Sequence, residues 1–266
     1  MTIAASSIVT SAGPPNPGPA DFELPRVFHI GSFDVTKPML QIVLAAVLIF
    51  VVAYIASRKA AVVPSRMQYA GEGVYGFVRN GIARDSIGSE HFLKFVPYLF
   101  SLFCFVLVNN YFGAIPFIQF PSFSRIGFVY ALAALTWIIY NTAGIWKHGL
   151  LGYLKLQVLP PGVTGPILIL IVPLEFMSNI LVRPVTLALR LFANMFAGHL
   201  LMILFVLGGE YLLLHSDKIA YAPVGIISLA LAVAIAFLEM LIMFLQAYVF
   251  TLLTAMYIGS AMADEH

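Results

Sequence analysis

From Ile167 to Leu207 the sequence is one long apolar segment, and an arginine stands in its middle. Arg190 lies between Leu187-Ala188-Leu189 and Leu191-Phe192-Ala193. A guanidinium does not lose its proton in proteins, so this group cannot escape burial by neutralising. A charge at the bilayer centre costs about 2.5–3.5 kcal/mol on insertion scales. Such a residue must face protein or water, and it reads as functional with a partner to be named. The plain alternative is a structurally paired or snorkelling arginine, and Arg190 lies too deep in the run to snorkel easily.

The rest of the composition agrees with a membrane setting. Hydrophobic residues make up 61% of the chain and charged residues only 10%, against about 25% charge in a typical soluble domain. The net charge of +2 comes without any basic run, which argues against a nucleic-acid partner. The single cysteine, Cys104, sits in an apolar run and reads as an inert core thiol. Residues 1–20 lack the basic start and apolar core of a signal peptide. The Pro-rich run Pro14 to Pro19 marks residues 1–25 as a loosely ordered tail.

These features predict an all-α polytopic membrane protein with about five membrane helices and a surface amphipathic helix. An N-terminal tail covers 1–37, and a single membrane domain covers 38–266. Spans are expected at 38–57, 92–115, 126–146, 167–207 and 223–260. Segment 64–90 repeats Met67, Ala70, Val74, Phe77 and Val78 at helical spacing but carries too many charges to span. It fits a helix lying on the membrane surface, with a solvated loop as the alternative. Residues 147–165 and the stretch with Gly208, Gly209, Asp217 and Lys218 read as loops. One set of loops holds Arg58, Lys59, Arg66, Arg79, Arg84, Lys94, Lys147 and Lys155. The opposite set holds only Arg26, Lys37, Arg125 and Lys218. The positive-inside rule then places the N-terminus outside and the C-terminus in the cytoplasm.

The last two segments are too long to stand upright. About 35 helical residues extend roughly 52 Å, against a hydrocarbon core of about 30 Å. They must tilt or break, and Pro184 is a possible kink. On an uninterrupted helix, Glu175, Ser178, Asn179, Arg183, Thr186, Arg190 and Asn194 share one stripe. His199 falls on the opposite side, roughly 13.5 Å further along. In the last segment Ser228, Glu239, Gln246 and Tyr257 lie nearly on one face. If the two segments form an antiparallel hairpin, Arg190 with Gln246 and His199 with Glu239 are each equidistant from a turn near Lys218. Two polar layers are therefore expected. The His199–Glu239 layer suits proton transfer, because both groups titrate near physiological pH when their surroundings shift them. Arg190 keeps its charge and attracts a carboxylate without relaying protons. The alternative for His199 and Glu239 is a buried pair that only locks the hairpin. No metal-ligand spacing, nucleotide loop or nucleophile elbow stands out, so no cofactor or metal is expected.

The run Leu187 to His199, followed by Leu245-Gln246-Ala247-Tyr248-Val249-Phe250, Leu252-Leu253-Thr254 and Tyr257, resembles the subunit a family of F-type ATP synthases. Asn110 with Pro116, and Glu175 with Arg183-Pro184, are similar to the same pattern. The resemblance spans the chain from about residue 30 onward. It implies a stator subunit beside a ring of c subunits, held with peripheral-stalk b subunits and membrane lipid. Arg190 would separate two offset half-channels, with Gln246 beside it. Asn110, His199 and Glu239 would line the outer channel, and Glu175 and Asn194 would border the inner route. Some members have Glu at the place of His199 and His at the place of Glu239, so the pair looks exchanged here. ATP chemistry would belong to soluble partner subunits, and a bacterial plasma membrane is the expected setting. A proton-coupled secondary transporter would also bury Arg, Glu and His, although no inverted repeat is found. A passive anchor would account for the hydrophobicity but not for the polar stripe.

Overall fold

The computed structural model describes residues 26–30, 33–58, 64–115, 122–158, 168–215 and 221–263. Residues 1–25, read as a loose tail, and the turn around Lys218 lie outside the described residues. The remainder of the predicted tail contains a small antiparallel hairpin. Strand β1 (Arg26–Ile30) pairs with β2 (Phe33–Thr36), with His29 opposite Asp34. The sequence expectation missed it, since these strands are too short to show a reliable alternation.

Helix α1 (Lys37–Arg58) opens with Pro38 in its first turn and closes with Arg58, which complements the helix dipole. Most of its surface is apolar and exposed: Val43, Val47 and Phe50 all stand open, as a lipid-facing helix requires. Helix α2 (Arg66–Val78) is capped by Ser65, whose hydroxyl accepts the Gln68 N–H at 3.3 Å. A π-helical turn (Arg79–Arg84) and the short α3 (Asp85–Ile87) continue it, and Gly88 at φ +89° ends the segment. Helix α4 is Phe92–Tyr111, and α5 is Ile126–Val158. Helix α6 (Leu168–Phe176) runs through a second π-helical turn (Met177–Val182) into α7 (Arg183–Leu214). The long α8 (Ala222–Met262) follows. Five helical segments among the described residues are long and apolar enough to cross a membrane.

Two predicted loops are helical over the part that is described. Lys147–Gly165 was expected as a loop, but α5 continues through Lys147 to Val158, with a single break at Gly149, φ +72°. The apolar residues after the break fold back so that the Tyr153 ring covers Gly144. Gly208 and Gly209 were expected in the loop between the last two segments, yet both lie within α7. There the missing side chain at Gly209 lets α7 and α8 touch. A Cβ on Gly209 would sit 3.1 Å from the Gly225 carbonyl oxygen, and one on Gly225 would sit 3.1 Å from that of Gly209.

Helices α7 and α8 run antiparallel from that contact. The Ser228 hydroxyl donates to the Phe205 carbonyl at 2.8 Å. With 41 residues, α8 extends about 62 Å, twice the hydrocarbon thickness of about 30 Å. The buried core joins Leu187, Leu191 and Met195 of α7 to Met243, Ala247 and Phe250 of α8, packed on α4 and α5. One end of the bundle also gathers basic segments. Lys147 donates to the Met262 carbonyl at 2.6 Å, neutralising the C-terminal end of α8. Gly259 lies so close to the Ser86 carbonyl that a Cβ there would collide with it.

Candidate functional site

Pro184 does not simply kink one helix. The π-helical turn just before it changes the helical phase, and the polar stripe is divided between α5, α8 and the exposed surface. Asn179 turns toward α5: its amide donates to the Gln157 carbonyl at 2.7 Å and to the Glu175 carboxylate at 3.0 Å. Arg183 turns toward α8, reaching the Ser260 hydroxyl at 3.5 Å and lying 5.2 Å from the centre of the Tyr257 ring. Thr186 is exposed and bonds back to the carbonyls of Val182 and Arg183.

Arg190 is exposed, and no described residue bonds it. The expected Arg190–Gln246 layer is therefore corrected. The Gln246 side-chain oxygen instead accepts the Asn194 amide at 2.6 Å, one helical turn further on. The reason is packing: Leu187, Ala188 and Leu191 fill the α7 face toward the core, and Arg190 lies at its edge.

Of the other expected layer, the Glu239 side chain reaches Gly198, the residue before His199. His199 and Glu239 are each 5% exposed. The Glu239 carboxylate lies over Gly198, where a Cβ would come within 3.2 Å of Oε1. That oxygen has no hydrogen-bond partner among the described residues. On α4, Asn110 is fully buried and donates to the Met243 carbonyl at 3.1 Å, and Tyr111 donates to the Met240 carbonyl at 3.3 Å. These bonds put the end of α4 against the turn of α8 that carries Glu239. Asn110 Oδ1 and Gln246 Nε2 are also buried without a partner among the described residues. Orphaned polar atoms of this kind inside a membrane protein mark places where water or a further polar group belongs.

Ser228, Glu239, Gln246 and Tyr257 all face α7, as their spacing on one side of α8 predicts. Sequence reasoning missed Gly198, whose value lies in what it leaves open. It also missed the polar group on α5 and its fold-back. Tyr153 donates to Asn141 Oδ1 at 3.0 Å and accepts from Gln157 at 2.7 Å. The signal for it was a set of polar handles, Trp137, Tyr140 and Asn141, at helical spacing in an apolar span.

This arrangement defines a class: a polytopic membrane protein with a polar line between its last two helices and, at the edge of that line, an exposed arginine that no described residue bonds. The family model for the ATP synthase A chain matches residues 39–259. ATP synthase subunit a of Nocardioides sp. is 63% identical, with the whole of both chains covered. That of Pseudarthrobacter chlorophenolicus is 49% identical over 94% of each chain. That of Streptomyces lividans is 40% identical, over 97% of this chain and 92% of its own. The chain belongs to the ATP synthase subunit a family.

Proposed function

We propose that this chain is the proton-translocating stator subunit of the membrane sector of a rotary ATP synthase. Residues 38–266 form its single membrane domain, with the N-terminus outside and the C-terminus in the cytoplasm of a bacterial plasma membrane. The observation that carries this reading is Arg190. Arg190 is exposed and without a partner among the described residues, beside the part-buried pairs Asn194–Gln246 and Gly198–Glu239. A permanent cation there calls for a carboxylate from another chain within the membrane. A ring of c subunits, each bearing one membrane carboxylate, supplies it.

Protons from outside pass Asn110, Glu239 and His199 to a ring carboxylate. Glu239 and His199 exchange protons, while Asn110 holds water in line. The ring then turns before the proton leaves by an inner route bordered by Asn194, Arg183 and Glu175. Arg190 pairs with the deprotonated carboxylate and bars direct passage between the two half-channels, and Gln246 holds Asn194 beside it. The chain catalyses no reaction alone; ATP is made on soluble partner subunits, and peripheral-stalk b subunits hold the chain against the turning ring.

Ala193 lies on the same exposed face as Arg190, whereas Ala188 is buried. In native membranes Ala193→Cys should form a disulfide with a cysteine placed beside the ring carboxylate, and Ala188→Cys should not. Failure of Ala193→Cys to cross-link anywhere along the ring helix would contradict the proposed interface.

A further inference from the structure

The π-helical turn Met177–Val182 leaves two backbone carbonyls without their ordinary helical partners. Pro184 has no N–H, so the carbonyl of Ile180, four residues earlier, loses its donor. The N–H of Arg183 reaches back five residues to Ser178 rather than four, which releases the carbonyl of Asn179. In a membrane interior, an unsatisfied backbone group is strongly unfavourable. Both are answered from α5. Trp137 Nε1 donates to the Ile180 carbonyl at 3.0 Å, and the Tyr140 hydroxyl donates to the Asn179 carbonyl at 3.3 Å. Trp137 and Tyr140 are three residues apart and so share one face of α5. Each applies its single N–H or O–H to one freed carbonyl.

We infer that Trp137 and Tyr140 are positioning residues for Arg190: they hold the π-helical turn and thereby set the rotation of α7. The consequence follows from helical phase. In an unbroken helix Asn179 and Arg190 would share a face. With the π turn, Asn179 is buried toward α5 while Arg190 is exposed. Without the two donors the turn loses its reason to persist, and a return to regular α-helix would swing α7 by most of a residue's step, about 100°. Arg190 would leave the outer face, and buried positions such as Ala188 would approach it. The Tyr140 ring also lies 5.6 Å from that of Tyr257, beneath Arg183, so the same residue ties α5, α7 and α8 together.

The inference rests on the proposed role of Arg190 for its functional effect, but its geometry can be tested apart from that role. Single-cysteine reporters, Ala193→Cys or Ala188→Cys in a Cys104→Ser chain, are assembled into the complete complex and treated in membranes with a small thiol reagent. ATP-driven proton pumping is measured on the same membranes. With the native clamp, the thiol of the Ala193→Cys reporter should react and that of the Ala188→Cys reporter should not. In Trp137→Phe the contrast should shrink or reverse, and pumping should fall several-fold. Adding Pro184→Ala gives the Ile180 carbonyl the N–H of a regular α-helix four residues on, so it should favour the swung helix and recover neither the labelling contrast nor the pumping. Tyr140→Phe, which removes one oxygen only, should shift the labelling in the same direction and serves if Trp137→Phe does not assemble. An unchanged labelling contrast in these variants would overturn the inference. So would recovery of the native labelling contrast on adding Pro184→Ala, and a loss of pumping with the contrast intact would make Trp137 a packing residue. If labelling shifts as expected but pumping is insensitive even to removal of Arg190, the clamp stands and the proposed function fails.

Discussion

Gly198 and Asn194 show how little room the polar line allows. A methyl group on Gly198 would lie 3.2 Å from Oε1, 3.4 Å from Cδ and 3.5 Å from Cγ of Glu239, so the carboxylate would have to move by a few tenths of an ångström. Gly198→Ala is expected to leave the complex assembled and slow proton pumping several-fold; an unchanged rate would mean that Glu239 does not need this seat. Asn194→Leu removes the amide that Gln246 accepts at 2.6 Å and leaves both polar ends of Gln246 unsatisfied. A buried polar group without a partner costs about 1–3 kcal/mol. Lower yield of assembled complex, together with reduced pumping, is the expected outcome, read from membrane content of the chain and from vesicle acidification. These residues differ in how far the sequence exposed them. Arg190, His199, Glu239 and Gln246 stand out because a polar group in an apolar run is conspicuous. Gly198 does not, because its contribution is an absence that only the facing carboxylate reveals.

Among the elements, the α7–α8 hairpin depends on close backbone approach. Gly225 faces Leu213 Cγ at 2.7 Å and the Gly209 carbonyl at 3.1 Å from where its Cβ would be. Overpacking such a contact costs about 1–3 kcal/mol. Gly225→Val should therefore reduce the amount of assembled chain, and Gly208→Ala, where nothing lies within 4 Å, should not; equal yields would contradict the contact. Gly149 has a different role. Its φ of +72° makes the fold-back of α5 possible, and a non-glycine residue in that positive-φ extended conformation costs about 1–3 kcal/mol. The hairpin and its register were legible in the sequence because the polar residues of both helices are equidistant from one turn. The phase of α7 was not, because periodicity assumes a regular α-helix and a π-helical turn inserts a step that hydrophobicity does not record. The Arg190–Gln246 pairing failed within α7 itself, where Leu187, Ala188 and Leu191 take the core-facing side, and Asn194 took its place. The overrun of α5 was missed because Pro160, Pro161 and Gly162 mark the whole of 147–165 as a loop, while the tertiary partner of Lys147, the end of α8, lies far along the chain.

Across the whole molecule, charge and packing agree on one end. Lys147 caps α8, and the segment holding Arg79 and Arg84 closes on Gly259. The proposed orientation makes this the cytoplasmic end. An impermeant thiol reagent should then label Ala263→Cys from the cytoplasmic side only, and labelling from outside would reverse the topology. Midway along the bundle, the exposed face of α7 carries a cation that no described residue satisfies. In the proposed mechanism Arg190 meets a ring carboxylate there and keeps two proton paths apart. The direct measurement is ATP-driven proton pumping in inverted vesicles carrying Arg190→Ala, with passive proton leak followed in parallel and assembly confirmed. Pumping should be lost in a complex that still assembles, with leak increased. Pumping near the native rate in an assembled complex would contradict that role and leave Arg190 a structural residue.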